Sequence, residues 1–167
     1  EAVRALFTGQ EIAMDTFHLN GKLSLNVSGI GFDGHIANLF ASDKKRGLQG
    51  YAKLTAKEFF KFREFEAEIT TNGETIRRKA FIIAIANSSQ YGNNARIAPA
   101  ASVCDQILHV SMLKKVPLYR MDFVYQFFSG KVHESRYCET LETNKLTIRA
   151  NGAVPFHIDG EPCGHAD

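Results

Sequence analysis

The sequence predicts a mainly β fold, an antiparallel β-sandwich with a few α-helices at its periphery. Two Asn-Gly pairs each separate two strand-like runs, which indicates β-hairpins because both residues tolerate positive φ angles. Segments typical of strands outnumber those typical of helices, without the strand-helix-strand rhythm of a parallel sheet. A chain of 167 residues, 44% of them hydrophobic, can bury one core, so we expect a single domain over residues 1–167.

The first predicted hairpin turns at Asn20-Gly21 and joins residues 12–19 to residues 23–27. The stretch that follows, NVSGIGFDGHIANLF at 26–40, runs from an apolar strand through glycines into a helical pattern. Such a loop can present backbone N–H groups to a phosphate. This one lacks both the βαβ context of a dinucleotide site and a G-x-x-x-x-G-K-[ST] motif, so taken alone it favours a tight turn.

The second predicted hairpin turns at Asn72-Gly73 and joins residues 64–70 to residues 75–87. Apolar side chains alternate with glutamates along 64–70, which indicates a strand with one face in water. Residues 81–86 are continuously apolar. They are therefore expected to form a central strand that is buried on both faces.

Three segments have helical spacing of apolar residues, and further strands are expected near the end of the chain. Asp33 lies where an N-cap would help the first helix, and Gly130 is placed to end the third. The predicted helices are 35–42, 53–62 and 122–128; the predicted later strands are 107–113, 136–141, 145–150 and 154–159.

Composition and charge exclude several classes of protein. A net charge of +2 without a dense basic face argues against nucleic-acid binding. The apolar runs are too short to span a bilayer and no leader pattern opens the chain, so a cytoplasmic location is expected. Three widely spaced cysteines and six scattered histidines show no metal-ligand spacing, which predicts reduced thiols and structural or surface histidines.

Four segments, in this order, resemble the C-terminal domain of the diacylglycerol kinase, sphingosine kinase and bacterial YegS-like lipid kinase family. Each motif alone is weak, but the order is specific, and the resemblance covers residues 13–162. The segments are NVSGIGFD at 26–33, RGLQGY at 46–51, ANSSQYG at 86–92 leading to IAPAA at 97–101, and HIDGEP at 157–162.

The resemblance implies transfer of the ATP γ-phosphoryl group to a lipid hydroxyl with Mg²⁺ as cofactor. In this family a nucleotide-binding domain with a G-G-D-G-T signature precedes the sandwich, and no such signature occurs here. The chain is therefore expected to be the lipid-binding C-terminal half, whose partners are the lipid substrate and the N-terminal nucleotide-binding domain of the same protein. By itself it is expected to be inactive.

The resemblance also nominates site residues, beginning with the acidic pair Asp159 and Glu161. In an extended segment these two carboxylates would point the same way, toward the cleft between the domains. One carboxylate of the pair would accept a proton or help to hold catalytic Mg²⁺. The alternative is a solvated Asp-Gly turn without catalytic function.

For a structural Mg²⁺ the resemblance nominates Asp105 with the backbone carbonyls of Ser102 and Ile107. Such oxygen-only coordination suits a hard cation. The family has glycine where this chain has Gln106. The alternative is an aspartate that only caps its own turn.

For the cleft itself the resemblance nominates Gly29, Gly31, Asp33 and Asn87. The two glycines would let the backbone approach a lipid head group or the partner domain. Asn87 ends a predicted buried strand, so its amide needs partners. The alternative is that it only connects residues 88–94 to the sheet.

Two other functions remain open on the sequence alone: a non-catalytic β-sandwich module that binds an apolar or carbohydrate ligand, and an NAD kinase-type domain. The sequence also leaves open which lipid is used, whether the protein touches a membrane peripherally, and whether it forms a homodimer. The basic run at 43–46 favours a solvated helix end over a membrane anchor.

Overall fold

The computed structural model describes residues 2–42, 48–117 and 119–166. The basic run at 43–46 and the first residues of the RGLQGY motif lie outside this part of the chain. The helices are α1 (Ala2–Thr8), α2 (Phe32–Ser42), α3 (Leu48–Lys61) and α4 (Met121–Ser129). The strands are β1 (Phe17–Leu19), β2 (Lys22–Ser24), β3 (Val27–Gly31), β4 (Phe65–Thr71), β5 (Glu74–Ala80), β6 (Ile82–Ala86), β7 (Leu108–Leu113), β8 (Cys138–Thr143), β9 (Leu146–Ala150), β10 (Val154–Ile158) and β11 (Glu161–Ala166).

The strands form three sheets in which every described pairing is antiparallel, which confirms the mainly β prediction. The largest has six strands in the order β11-β10-β3-β6-β7-β8, the second has the order β5-β4-β9, and β1 pairs with β2 alone. Both predicted Asn-Gly hairpins are present, and Asn20 and Asn72 each have φ of 50°. The first hairpin, however, is separate from the two larger sheets.

The six-stranded and three-stranded sheets pack face to face. Ala67 and Ile69 of β4 contact a buried cluster that includes Ile83 of β6 and Val110 of β7. Ile69, Ile83 and Val110 are completely buried. Burying one such side chain contributes about 1.5–3 kcal/mol, so this layer is a main source of stability.

The prediction of one continuous strand over 75–87 is wrong, because the chain changes sheet at Phe81. Its N–H donates to the Leu113 carbonyl at 2.6 Å, and its own carbonyl accepts the N–H of Phe32 at 3.0 Å. Its ring stacks on that of Phe32 with centroids 4.6 Å apart, within an aromatic cluster that includes Phe59. The aromatic cluster fixes the crossing point, which coincides with the change from the polar sequence of β5 to the apolar run of β6.

The other face of the six-stranded sheet carries α2, α4 and the loops between β6 and β7. A Cβ atom on Gly34 of α2 would lie 2.6 Å from the Phe156 Cα and from the Pro155 carbonyl oxygen, so the helix rests directly on β10. Phe123 and Phe127 of α4 face the sheet. This close seating of α2 places its first turn beside the end of β10.

Strand β11 was not predicted. It includes Pro162 and Gly164, which are poor strand formers, and it is the edge of the six-stranded sheet. An edge strand tolerates both residues because one side of its backbone needs no ladder partner. Helix α3 begins at Leu48, five residues before the predicted start at Lys53.

All three cysteines are free thiols, but they differ in burial. Burial raises the pKa of the Cys138 thiol to about 11, whereas Cys104 is exposed. At pH 8 only about one Cys138 in a thousand is then a thiolate. We expect iodoacetamide to modify Cys104 in the folded protein and Cys138 only after denaturation, as followed by peptide mass spectrometry. Equal labelling rates for the two thiols would contradict the buried position of Cys138.

Candidate functional site

Asp159 and Gly160 form the tight turn between β10 and β11. Their φ angles are 51° and 88°, and Ile158 pairs with Glu161 across the turn. The expectation that Asp159 and Glu161 lie side by side on one extended segment is therefore wrong. Asp159 sits in the turn itself, while Glu161 is the first residue of the returning strand.

The Asp159 carboxylate is bound by the segment that joins β2 to β3. It accepts hydrogen bonds from the Ser24 hydroxyl at 2.8 Å, the Leu25 N–H at 2.8 Å and the Asn26 N–H at 2.9 Å. Ser24 is fully buried, and its hydroxyl also lies 2.9 Å from that of Ser28. Three hydrogen bonds to one carboxylate hold the turn in one place.

Glu161 has a contrasting environment. It is exposed, and within the described part of the chain its carboxylate makes no hydrogen bond or ion pair. The anchored turn thus leads to the Glu161 carboxylate, whose oxygens can accept hydrogen bonds from a ligand. Such a group can take a proton from a hydroxyl or contribute an oxygen ligand to a cation.

Asp33 lies in the first turn of α2 and is the centre of a second polar cluster. Its Oδ2 accepts a hydrogen bond from the Tyr91 hydroxyl at 3.0 Å and lies 3.2 Å from the His157 Nε2. A Cβ atom on Gly29 would lie 1.9 Å from the same oxygen, so a side chain there would displace the Asp33 carboxylate. The expected N-cap role of Asp33 is replaced by this cluster, since in the described part of the chain its Oδ1 accepts the N–H of its neighbour Gly34, at 2.8 Å.

His157 connects the Asp33 cluster to the acidic turn. Its Nδ1 accepts the N–H of Gly160 at 3.1 Å, so the proton of a neutral ring is on Nε2 and is donated to Asp33. Sequence reasoning gave His157 no individual role. The alternation of β10 could have found it, because Phe156 and Ile158 face the sandwich and the residue between them must face α2.

The candidate cleft glycines are both buried in β3. Gly31 has φ of 114°, and a Cβ there would lie 2.5 Å from the Phe81 carbonyl oxygen. Gly29 leaves room for Asp33 and His157. In the described structure, these two glycines allow close approach by other parts of the same chain.

Asn87 is buried at the end of β6 and contacts Leu25, which binds the acidic turn. Its side-chain amide donates to the carbonyls of Asp15 at 2.8 Å and Leu25 at 2.9 Å. Leu25 in turn donates its N–H to Asp159. Asn87 therefore connects the loops before β1 and β3, whereas the expected connection was to residues 88–94.

The candidate Mg²⁺ residues form an exposed turn some distance along the chain from the acidic pair. The Asp105 Oδ1 accepts the Ile107 N–H at 3.0 Å, which is an Asx turn. Gln106 has φ of 60°, so it adopts the conformation that glycine favours. Among the described residues no group of three or more His, Cys, Asp or Glu side chains is arranged as a metal site. One carboxylate with the carbonyls of Ser102 and Ile107 still provides the hard oxygen donors that suit Mg²⁺.

A cavity of about 480 Å³ lies beneath the β1–β2 hairpin and between the two large sheets. Buried Ile30, Ile85 and Phe156 form its base, and exposed Thr16 and Asn144 lie at its mouth. In the covering hairpin, Phe17 pairs with Ser24, the residue that binds Asp159. The cavity is thus adjacent to the hairpin that anchors the acidic turn.

No described helix has the length and apolar character needed to cross a bilayer.

The chain is similar to curated proteins over nearly its whole length. The chain is 24% identical over 156 residues to the "Probable lipid kinase YegS-like" of Shewanella frigidimarina, covering 92% of this chain and 50% of that protein. It is 25% identical over 170 residues to the protein of the same name from Pectobacterium atrosepticum, covering 96% of this chain and 54% of the relative. The chain thus spans about half the length of the curated relatives it matches.

Its fold also matches a solved structure. The crystal structure of a diacylglycerol kinase from Bacillus anthracis superposes with a TM-score of 0.58 at 16% identity, covering 91% of this chain and 47% of the other. The family model described as the YegS C-terminal NAD kinase beta sandwich-like domain matches residues 26–167. This match extends over most of the chain and includes β3, Asp33, Asp105 and the acidic turn. The chain belongs to the YegS C-terminal domain family.

Proposed function

We propose that this chain is the lipid-binding C-terminal domain, residues 1–167, of an ATP-dependent lipid kinase. The complete protein would transfer the γ-phosphoryl group of ATP to the hydroxyl of diacylglycerol, a sphingoid base or a related lipid. The N-terminal nucleotide-binding domain of the same protein would supply most of the ATP site. Family membership and the names of the relatives support this proposal.

The observation that carries the proposal is the anchored acidic turn with its one unpaired carboxylate. Asp159 fixes the turn through three hydrogen bonds, and Glu161 is exposed at the start of β11. In the proposed reaction Glu161 accepts the proton of the lipid hydroxyl or contributes an oxygen ligand to Mg²⁺. When bound, catalytic Mg²⁺ would offset the negative charge of the phosphates.

We assign the apolar tail of the substrate to the cavity beneath the β1–β2 hairpin. Its volume of about 480 Å³ is within the range of small-molecule sites. The buried side chains of Ile30, Ile85 and Phe156 would contact the tail, and the polar mouth would face the head group. Asp33, which is partly exposed, is the cleft residue best placed to meet a ligand, while Gly29, Gly31 and Asn87 would act by shaping the backbone around it.

We also propose that Asp105, with the carbonyls of Ser102 and Ile107, would hold a structural Mg²⁺. The observation in its favour is the left-handed Gln106, because the backbone adopts the conformation preferred by the family's glycine despite the substitution. This ion would stabilise the loop between β6 and β7. It would take no direct part in phosphoryl transfer.

The first test compares this chain with the full-length protein. We expect the full-length protein to transfer ³²P from labelled ATP to one member of a panel of diacylglycerol, sphingosine and phosphatidylglycerol. We expect the isolated chain to transfer none, even with Mg-ATP in excess, because it carries no G-G-D-G-T segment. Lipid phosphorylation by the isolated chain above a heat-killed control would contradict the proposal that the N-terminal domain supplies most of the ATP site.

The same assay with NAD⁺ added as a possible acceptor, together with a lipid-binding measurement, separates the two alternative functions. Lipid binding by the full-length protein without transfer of phosphate would indicate a non-catalytic binding module. Phosphorylation of NAD⁺ in place of the lipid would indicate NAD kinase-type chemistry. Either result would replace the lipid kinase proposal.

A further inference from the structure

We infer that His157 is a positioning residue for phosphoryl transfer, acting through the backbone of Gly160 on the neighbouring Glu161. This inference rests on the proposed function of the acidic turn. It assigns a role to a residue that touches neither the lipid nor ATP in the proposed reaction. Its basis is a continuous path of hydrogen bonds from Tyr91 through Asp33 and His157 to the turn.

The His157 ring is fixed from two sides. Its side chain is only 4% exposed, and it lies directly across the ladder from Gly29, whose missing side chain admits the ring and the Asp33 carboxylate. Asp33 receives the Nε2 proton, which leaves the Nδ1 lone pair directed at the N–H of Gly160. A buried ring held in this way keeps one tautomer and one orientation.

The contact with Gly160 adds a restraint between the anchored Asp159 and Glu161. Glycine at φ of 88° adopts this turn easily but also has access to other conformations. In the described structure, the His157 imidazole is the side chain that hydrogen-bonds to Gly160. Among the residues that the structure describes, Glu161 has no side-chain partner, so its direction depends on its pairing with Ile158 and on the peptide that precedes it. A shift of about 1 Å at a reacting group can lower the rate about 10²-fold.

Two nearly isosteric variants separate the two contacts of the ring. In His157→Asn the amide oxygen can take the place of Nδ1 and accept from Gly160, but the side chain is too short to reach Asp33. In His157→Gln the amide nitrogen can reach Asp33, but the acceptor for Gly160 is lost. His165, an exposed histidine on β11, provides the matched control His165→Gln.

In the full-length protein we expect His157→Gln to lower kcat at least tenfold with the lipid KM changed less than threefold. His157→Asn should keep at least a third of the parental kcat, and His165→Gln should keep all of it. A role in packing alone would instead make the two His157 variants equally active or equally impaired. Parental kcat in His157→Gln, or equal losses in both variants, would overturn the inference.

A spectroscopic measurement tests the same geometry without relying on turnover. In ¹⁵N-histidine-labelled full-length protein, two-bond ¹H–¹⁵N correlations should show His157 as the neutral ring with its proton on Nε2. A proton on Nδ1 would overturn the inference even if the protein is an active lipid kinase. If the parent protein phosphorylates no lipid, the proposed function fails, whereas the Nε2–H signal still reports whether the contact with Gly160 exists.

Discussion

Replacing Glu161 by glutamine in the full-length protein is expected to lower the proposed lipid kinase kcat about 10²- to 10⁴-fold, the usual contribution of a general base. Glutamine has nearly the same shape but neither accepts a proton at neutral pH nor neutralises a cation. The lipid KM should change little, because the carboxylate is proposed to act mainly in the transition state. Steady-state kinetics on the phosphorylated lipid would measure both parameters.

The expected change in stability differs between Glu161→Gln and Asp159→Asn. Glu161 is exposed and unpaired in the described structure, so Glu161→Gln should leave the thermal midpoint unchanged within error. Asp159→Asn weakens three hydrogen bonds to an ionised acceptor and should cost about 1 kcal/mol of unfolding free energy in addition to activity. If Glu161→Gln retains parental kcat, the acidic pair is only a turn and the catalytic assignment fails.

Replacing Gly34 by alanine is expected to destabilise the domain by about 3 kcal/mol, although helix propensity predicts the opposite sign. Alanine inside a helix is normally favoured over glycine by about 1 kcal/mol. Here the added Cβ would lie 2.6 Å from backbone atoms of Pro155 and Phe156. Backbone cannot rotate away as a side chain can, so α2 must shift off β10. Equilibrium urea unfolding of the chain would measure the change.

Gly21→Ala provides the control for this substitution. Gly21 is in the Asn20-Gly21 turn with φ of 76°, and no atom lies within 4 Å of an added Cβ. Its cost should be limited to the left-handed backbone, about 1 kcal/mol. A Gly34→Ala variant as stable as the parent would show that α2 does not rest on β10 as closely as described.

Local patterns predicted the hairpins and the buried central strand because the deciding interactions are close in sequence. Asn72-Gly73 determines its own turn, and alternation along β4 identifies the face in the core. The break at Phe81 coincides with the change from the polar residues of β5 to a continuous apolar run, but no local pattern shows that the two parts belong to different sheets. Strand β11 could not be predicted because it contains Pro162 and Gly164, which have low strand propensity. An edge strand tolerates such residues.

The candidate site was only partly predictable for a similar reason. The resemblance pointed to Asp159 and Asp33, but their partners are set by distant segments that no local pattern identifies. The sequence pattern indicates an ordinary loop at residues 24–26. Only the folded chain shows that these residues bind Asp159. His157 could be placed on the α2 face by alternation, but not opposite Asp33.

The hydrogen bonds of Asp159 also set the time at which the site can form. They join residues 133, 134 and 135 positions apart, so nearly the whole domain must emerge and close on itself before the turn is held. Closing a loop of that length costs about 4 kcal/mol of chain entropy, and folds dominated by such long-range contacts are among the slower to form. The acidic turn is thus a late product of folding. A nascent chain can complete both Asn-Gly hairpins during synthesis and still have no organised acidic turn until residue 159 has left the ribosome.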